Sequence, residues 1–206
     1  MTFTGHVFLG LSVDGFIARH DDGLDFLETT DGSGSPGDAG FTAFVESVDA
    51  LLMGRGTYRV IEPHGEWPYQ GKPVHVVSST LDPAADPRVV VHRDLDEAVA
   101  ALEAAGYGRV YVDGGQTVRT MLACGRVQTL TLSRVPVLVG EGFSLFGPLP
   151  GDVHLEHTST EVLGGGMVQT TYRVQGPAAG TSTATSGPNR ASTSSSRSPD
   201  QKLPGS

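Results

Sequence analysis

Cysteine is almost missing. The 206-residue chain has one, Cys124, so no internal disulfide can form and the fold must rest on its own core, as suits a reducing compartment. No apolar run reaches the roughly 20 residues that a membrane-spanning helix needs. Met1–His6 has neither a basic start nor a long apolar stretch, so no secretory leader is seen and a cytoplasmic protein is expected. Positive charge is scarce too: 14 Lys and Arg stand against 23 Asp and Glu, a net charge of −9. That balance does not favour nucleic acid or an anionic membrane as partner. It leaves room for a phosphorylated ligand, which backbone N–H groups and one or two arginines can hold. The zinc-deaminase pattern, the G-x-x-x-x-G-K-[ST] phosphate loop and the G-x-S-x-G elbow are missing. The seven histidines show no ligand spacing, and no metal is expected.

Large apolar residues run out near Gly176. From there to Ser206, Leu203 is the only one, too little to offset the entropy of ordering. One folded domain, residues 1–175, followed by a disordered Ser/Thr/Gly/Pro-rich tail, residues 176–206, is therefore expected. The tail's charges net +2, which leaves −11 for the domain. Thr29–Gly40, with Gly and Pro throughout, reads as a surface loop. It either covers a site or is a tolerated insertion.

What is present alternates. Val7–Leu11, Ala50–Met53, Val74–Ser78, Arg88–His92, Arg109–Asp113 and Gln128–Val135 are short apolar runs of strand type. Between them, Phe41, Phe44, Val45 and Val48 recur at helix spacing behind Asp38, and Leu95, Ala98, Val99 and Leu102 do so behind Asp94, two suitable N-caps. Thr57–Ile61 and Gln116–Ala123 are shorter helices stopped by Pro63 and Gly125. Val153–Leu163 and Met167–Val174, flanking three glycines, form a hairpin. Alternation implies right-handed crossovers and a parallel sheet, with ligands at the carboxyl ends of its strands.

The unusual residues follow those strand ends. Met53-Gly54-Arg55-Gly56-Thr57-Tyr58 and Val112-Asp113-Gly114-Gly115-Gln116-Thr117 each turn from strand to helix through glycines. Backbone can approach a phosphate there, and Arg55 adds a planar fork. Either turn is also compatible with plain structural duty. Val76-Val77-Ser78-Ser79-Thr80 ends a strand in three hydroxyls, suited to a ribose or its phosphate. Ser12-Val13-Asp14-Gly15 sets a carboxylate that either faces a ligand or closes an Asp-Gly turn. Glu141, between Gly140 and Gly142 after Pro136-Val137-Leu138, is either a ligand contact or a solvated loop carboxylate.

In order, S-x-D-G-[FY]-I-A, M-G-R-x-T-Y, V-x-S-S, D-G-G-x-x-[TV] and P-V-L-x-G-x-G-x-x-L-F resemble the dihydrofolate-reductase superfamily. The similarity is greatest to stand-alone relatives of the C-terminal reductase domain of the bifunctional riboflavin-biosynthesis deaminase/reductase. It runs from about Val7 to Val174. The resemblance implies an α/β fold: a mixed, mostly parallel sheet of about eight strands with flanking helices and a C-terminal antiparallel hairpin. It implies NADPH as cofactor, its phosphates at Gly54, Arg55 and Thr57, its adenosine ribose and 2′-phosphate at Ser78 and Ser79, and its pyrophosphate at Gly114, Gly115, Gln116 and Thr117. It sets Asp14 as the catalytic and substrate-facing carboxylate, with Gly140 and Glu141 also near substrate, and makes a homodimer the default assembly. Hydride transfer to a small heterocyclic or carbonyl/imine substrate is the function expected. Two alternatives stay open: a stand-alone 5-amino-6-(5-phosphoribosylamino)uracil reductase, and a nucleotide-binding or regulatory protein without hydride transfer. Riboflavin reductases carry a polar pair after S-x-D-G where this chain has Phe16-Ile17, which argues against a phosphoribosyl substrate.

Overall fold

The strand-type runs become strands because each is bounded by turn formers and alternates its side chains between two faces, both of them buried in the central strands and one of them partly open at the 88–92 edge, where Val90 is exposed. The computed structural model describes residues 2–28, 37–63, 67–69 and 71–175. The expected 176–206 tail and most of the Thr29–Gly40 loop lie outside the described residues. The chain runs β1 (Thr4–Ser12), β2 (Phe16–Ala18), α1 (Phe41–Ser47), β3 (Ala50–Gly54), α2 (Arg55–Ile61), β4 (Val74–Val77), β5 (Val89–His92), α3 (Leu95–Ala104), β6 (Arg109–Asp113), α4 (Gly115–Ala123), β7 (Val127–Val135), β8 (Phe143–Ser144), β9 (Leu155–Val162) and β10 (Val168–Val174).

One eight-stranded sheet has the order β5-β4-β3-β6-β1-β7-β10-β9. The pairs from β5 through β7 are all parallel, and β10 is antiparallel to both β7 and β9. The terminal hairpin thus supplies the antiparallel edge that the sequence pattern predicts. A two-stranded ribbon of β2 and β8 was not predicted; at three and two residues, its strands are too short to show periodicity.

Burial follows strand parity. On β3, Ala50 and Leu52 join the core under α3 and α4, with Leu102, Val118 and Met121. Leu51 and Met53 point the other way, with Val45, Tyr58 and Val74. β6 divides in the same manner: Val110 and Val112 face one core, Tyr111 the other. Asp113, two residues on, shares the Tyr111 face.

One of the two expected N-caps holds its position, and the other acts from just outside its helix. The Asp94 carboxylate accepts from the Glu97 N–H at 2.8 Å, and Asp94→Ala should cost about 1 kcal/mol. Asp38 works one turn ahead of α1: its carboxylate accepts from the Gly40 and Thr42 N–H groups at 2.9 and 3.0 Å, and Gly40 itself is the N-cap. Among the described residues no helix is long and apolar enough to cross a membrane.

Candidate functional site

A cleft of about 1320 Å³ opens at the carboxyl ends of the central strands. That is where an open parallel sheet binds ligands, because neighbouring strands there send their chains to opposite faces. All nine residues expected at a cofactor line it: Gly54, Arg55, Thr57, Ser78, Ser79, Gly114, Gly115, Gln116 and Thr117.

The two glycine turns are pressed together in a reciprocal way. A Cβ built on Gly54 would lie 3.2 Å from Thr117 Oγ1, while one on Gly114 would collide with Thr57 Oγ1. Gly114 also has φ +86°, a conformation side chains resist. Each threonine thus fills the space left by the opposite turn's glycine. Gly114 brings no side chain to cap α4, so the helix's first N–H groups, which have no partner within the helix, are open to a ligand at the cleft. Gly115 is equally tight: its Cβ would sit 2.8 Å from the Ser144 carbonyl.

Among the described residues three arginines line the cleft, and two are engaged with backbone. Arg93 donates to the carbonyls of Ser78, Ser79 and Leu81 at 3.4, 3.2 and 3.0 Å. Arg119 donates to those of Ser144 and Leu145 at 2.8 and 3.1 Å, and so ties the β2–β8 ribbon to α4. Arg55, exposed, donates to the Thr80 hydroxyl, which places its guanidinium beside the Ser78–Thr80 turn. Of the serine pair, Ser78 is buried and its hydroxyl accepts from the Thr80 and Leu81 N–H groups at 3.3 and 2.9 Å. That hydroxyl shapes the turn, and Ser79 is the exposed partner.

The three residues expected at substrate lie elsewhere. Asp14, Gly140 and Glu141 are not among the cleft-lining residues. β1 ends at Ser12, and a turn closed by the Gly15 N–H on the Ser12 carbonyl at 3.0 Å sends the chain into β2. The Asp14 carboxylate accepts from the Ser12 hydroxyl at 2.6 Å and from the Val139 and Gly140 N–H groups at 3.1 and 2.8 Å. The Ser12 hydroxyl above all, with those two N–H groups, holds it down to about 2. An exposed carboxylate fixed in this way stays ionised; it anchors the loop after β7 and has no proton to give near neutral pH.

A different carboxyl faces the cleft. Asp113 is 6% exposed and lines it together with Tyr69 and Tyr111. Burial pushes its carboxyl up to about 6, while the Tyr111 and Tyr69 hydroxyls and the Gly114 N–H pull the other way. The Tyr69 hydroxyl donates to it at a long 3.4 Å, and the Tyr111 hydroxyl donates to the Phe8 carbonyl at 2.9 Å. Tyr69 and Tyr111 belong to a cluster of rings: Phe41 lies 6.3 Å from both, and Phe8 lies 5.9 Å from Phe41. This aromatic end was missed from sequence, although a signal existed. In Arg109–Asp113, alternation places Asp113 on the Tyr111 face, and a carboxylate ending a buried strand is anomalous. Among the described residues no group of three or more His, Cys, Asp or Glu can hold a metal ion.

Comparison with known proteins adds independent information. The sequence profile of the RibD C-terminal domain matches residues 5–169. A protein of Shewanella sp. PV-4, named for riboflavin biosynthesis, has a crystal structure 34% identical to this chain, with a TM-score of 0.74 over 84% of this chain and 99% of that one. The Bacillus subtilis protein YwjB is 27% identical over 77% of this chain and 91% of its own length. The Thermotoga maritima diaminohydroxyphosphoribosylaminopyrimidine deaminase/5-amino-6-(5-phosphoribosylamino)uracil reductase shares the fold at 12% identity and a TM-score of 0.63; 57% of its chain is covered.

Proposed function

The chain belongs to the family of RibD C-terminal domains, and from that premise we propose that it is an NADPH-dependent reductase. Its substrate is a small ring compound reduced at a C=N or C=O carbon. One observation carries this: two interlocked glycine turns and a little-engaged arginine share a single cleft with a buried carboxyl whose pKa is near neutral.

The residues fit the cofactor. The missing side chains at Gly54 and Gly114 leave backbone exposed to a pyrophosphate, and the first N–H groups of α4 supply donors with a favourable dipole. Arg55, with the Ser79 and Thr80 hydroxyls, suits the extra phosphate that separates NADPH from NADH. When bound, NADPH supplies the hydride. Asp113 gives the accompanying proton to the substrate's nitrogen or oxygen, so that the C=N or C=O becomes an amine or alcohol. A carboxyl near 6 is protonated often enough at neutral pH to act as the acid and is regenerated from solvent. The phenyl and phenol rings around it keep bulk water away from the reacting carbon.

Titration of the purified protein with NADPH and with NADH, followed by nicotinamide fluorescence, tests the cofactor half. Tight NADPH binding with much weaker NADH binding is expected. Binding of neither would return the glycine turns and Arg55 to structural duty and remove the reductase assignment.

A further inference from the structure

We propose that Arg119 is a positioning residue: from α4 it fixes the β2–β8 ribbon in register with the glycine cradle, and so sets the wall against which the second nucleoside of the cofactor is seated. This goes beyond the reductase function above and rests on it. Strand order gives the direction. Along the carboxyl edge the strands stand as β4-β3-β6-β1. The Ser78–Thr80 turn leaves β4, and the two glycine turns leave β3 and β6. The two halves of a dinucleotide leave its pyrophosphate in opposite directions. With the 2′-phosphate at β4 and the pyrophosphate between β3 and β6, the nicotinamide half extends toward β1. There the chain turns into β2, and Ile17, Ala18, Phe143 and Ser144 of the ribbon line the cleft.

So short a ribbon has to be held. β2 pairs with β8 and with no strand of the eight-stranded sheet. The tie comes from Arg119, which is half-buried and has no carboxylate partner among the described residues. Its Nη1 alone donates to two consecutive carbonyls, Ser144 at 2.8 Å and Leu145 at 3.1 Å. Its stem runs past Gly147, where an added Cβ would lie 3.3 Å from its Cδ. At the cradle, a Cβ on Gly115 would lie 3.0 Å from that same Nη1 and 3.4 Å from Ile17 Cδ1. Arg119 stands about one turn along the helix that Gly115 opens. One helix therefore offers N–H groups to the pyrophosphate and holds the neighbouring wall, so Arg119 sets the spacing between them. Without it the ribbon stays attached, because Leu145 is buried in the core and Ile17 packs against that core, but its register with α4 is lost.

Binding separates a positioned wall from a phosphate contact. Adenosine 2′,5′-bisphosphate carries the adenosine end of NADPH without its nicotinamide. Its affinity, and those of NADPH and NADH, are measured by calorimetry on wild type, Arg119→Met and Arg119→Lys. Arg119→Met should weaken NADPH and NADH together by about tenfold, the loss of charge-assisted hydrogen bonds. It should leave the bisphosphate within about twofold, as a site too far away to share the change, and that retained binding also shows the variant to be folded. The emission of bound NADPH reports the surroundings of its nicotinamide and should move toward that of free NADPH in Arg119→Met. Arg119→Lys should recover most of both effects, because the two bonds come from one nitrogen and an ammonium can donate both. Equal weakening of the bisphosphate, unchanged NADPH, or a lysine variant no better than the methionine one would each overturn the proposal and leave the reductase function standing. If wild type binds neither NADPH nor the bisphosphate, the reductase function falls and the proposal falls with it.

Discussion

The two ends of the cleft are built by different means. At the glycine end, contiguous segments do the work: Gly54–Thr57 leaving β3, Ser78–Thr80 leaving β4 and Gly114–Thr117 leaving β6. Its donors are backbone N–H groups, hydroxyls and an arginine, and its shape depends on side chains that are missing. At the aromatic end single residues converge from separate elements, Phe8 from β1, Phe41 from α1, Tyr69 from the segment before β4, and Tyr111 and Asp113 from β6. Shape there depends on side chains that are large, and one acid is embedded among them. The glycine end suits a ligand defined by phosphates, the aromatic end one defined by a flat ring.

The largest effect should come from the aromatic end. Asp113→Asn keeps shape and removes the transferable proton, so turnover should fall by about 10²–10⁴-fold, with NADPH binding unchanged. A kcat measurement beside an NADPH titration checks both halves. If NADPH affinity fell in parallel, the two ends would not be separate sites. Gly114→Ala should do the reverse. The added Cβ meets Thr57 at φ +86°, at a cost of about 2–4 kcal/mol in stability, and NADPH and NADH should weaken together because the shared pyrophosphate cradle is lost. Chemical denaturation and parallel titrations measure this. Arg55→Ala is the finer probe of the same end. Losing charge-assisted hydrogen bonds worth about 1.5–3 kcal/mol should weaken NADPH by about 10–100-fold and leave NADH nearly unaffected. Equal weakening would move Arg55 away from the 2′-phosphate.

Legibility follows the same division. The glycine turns could be found in the sequence because a strand-to-helix turn that brings backbone to a ligand needs its special residues side by side. The eight-stranded sheet was legible because apolar runs and caps are local signals, and Asp94 and Gly106 do mark the ends of α3. The aromatic end depends on which strands become neighbours, and Phe8 and Tyr111 meet only once β1 pairs with β6. Asp14 shows the opposite failure. Its motif is distinctive, yet the turn after Ser12 and the partners at 139–140 direct its carboxylate into the scaffold, and no local pattern reveals a hydrogen-bond partner 125 residues away. The β2–β8 ribbon was illegible because a ribbon so short is held by Arg119 and by pairing, not by propensity.

The smallest predicted effect compares the two ends through pH. Beneath the glycine end, on β4 and β5, His75 Nδ1 and His92 Nε2 share a hydrogen bond of 2.8 Å in a buried stack. Burial, with the neighbouring His92, lowers His75 to about 4. A histidine kept neutral in the fold but free to protonate near 6.5 when unfolded contributes stability above 6.5, and that contribution is lost as pH falls toward 4. Asp113 has the opposite sign. Its carboxyl is raised from 3.8 to about 6, so its contribution is present below 3.8 and lost as pH rises through 6. The two windows nearly coincide and their signs oppose, so unfolding midpoints in urea between 4 and 6 report the difference of the two contributions. His75→Leu should reduce the gain in stability with rising pH across this range by about 1–2 kcal/mol, and His6, also lowered to about 4 by burial, keeps its own share of that gain. Asp113→Asn should do the opposite and make stability rise more steeply with pH. If the two effects failed to add in the double variant, the buried groups at the two ends would be coupled through β3, the strand between them.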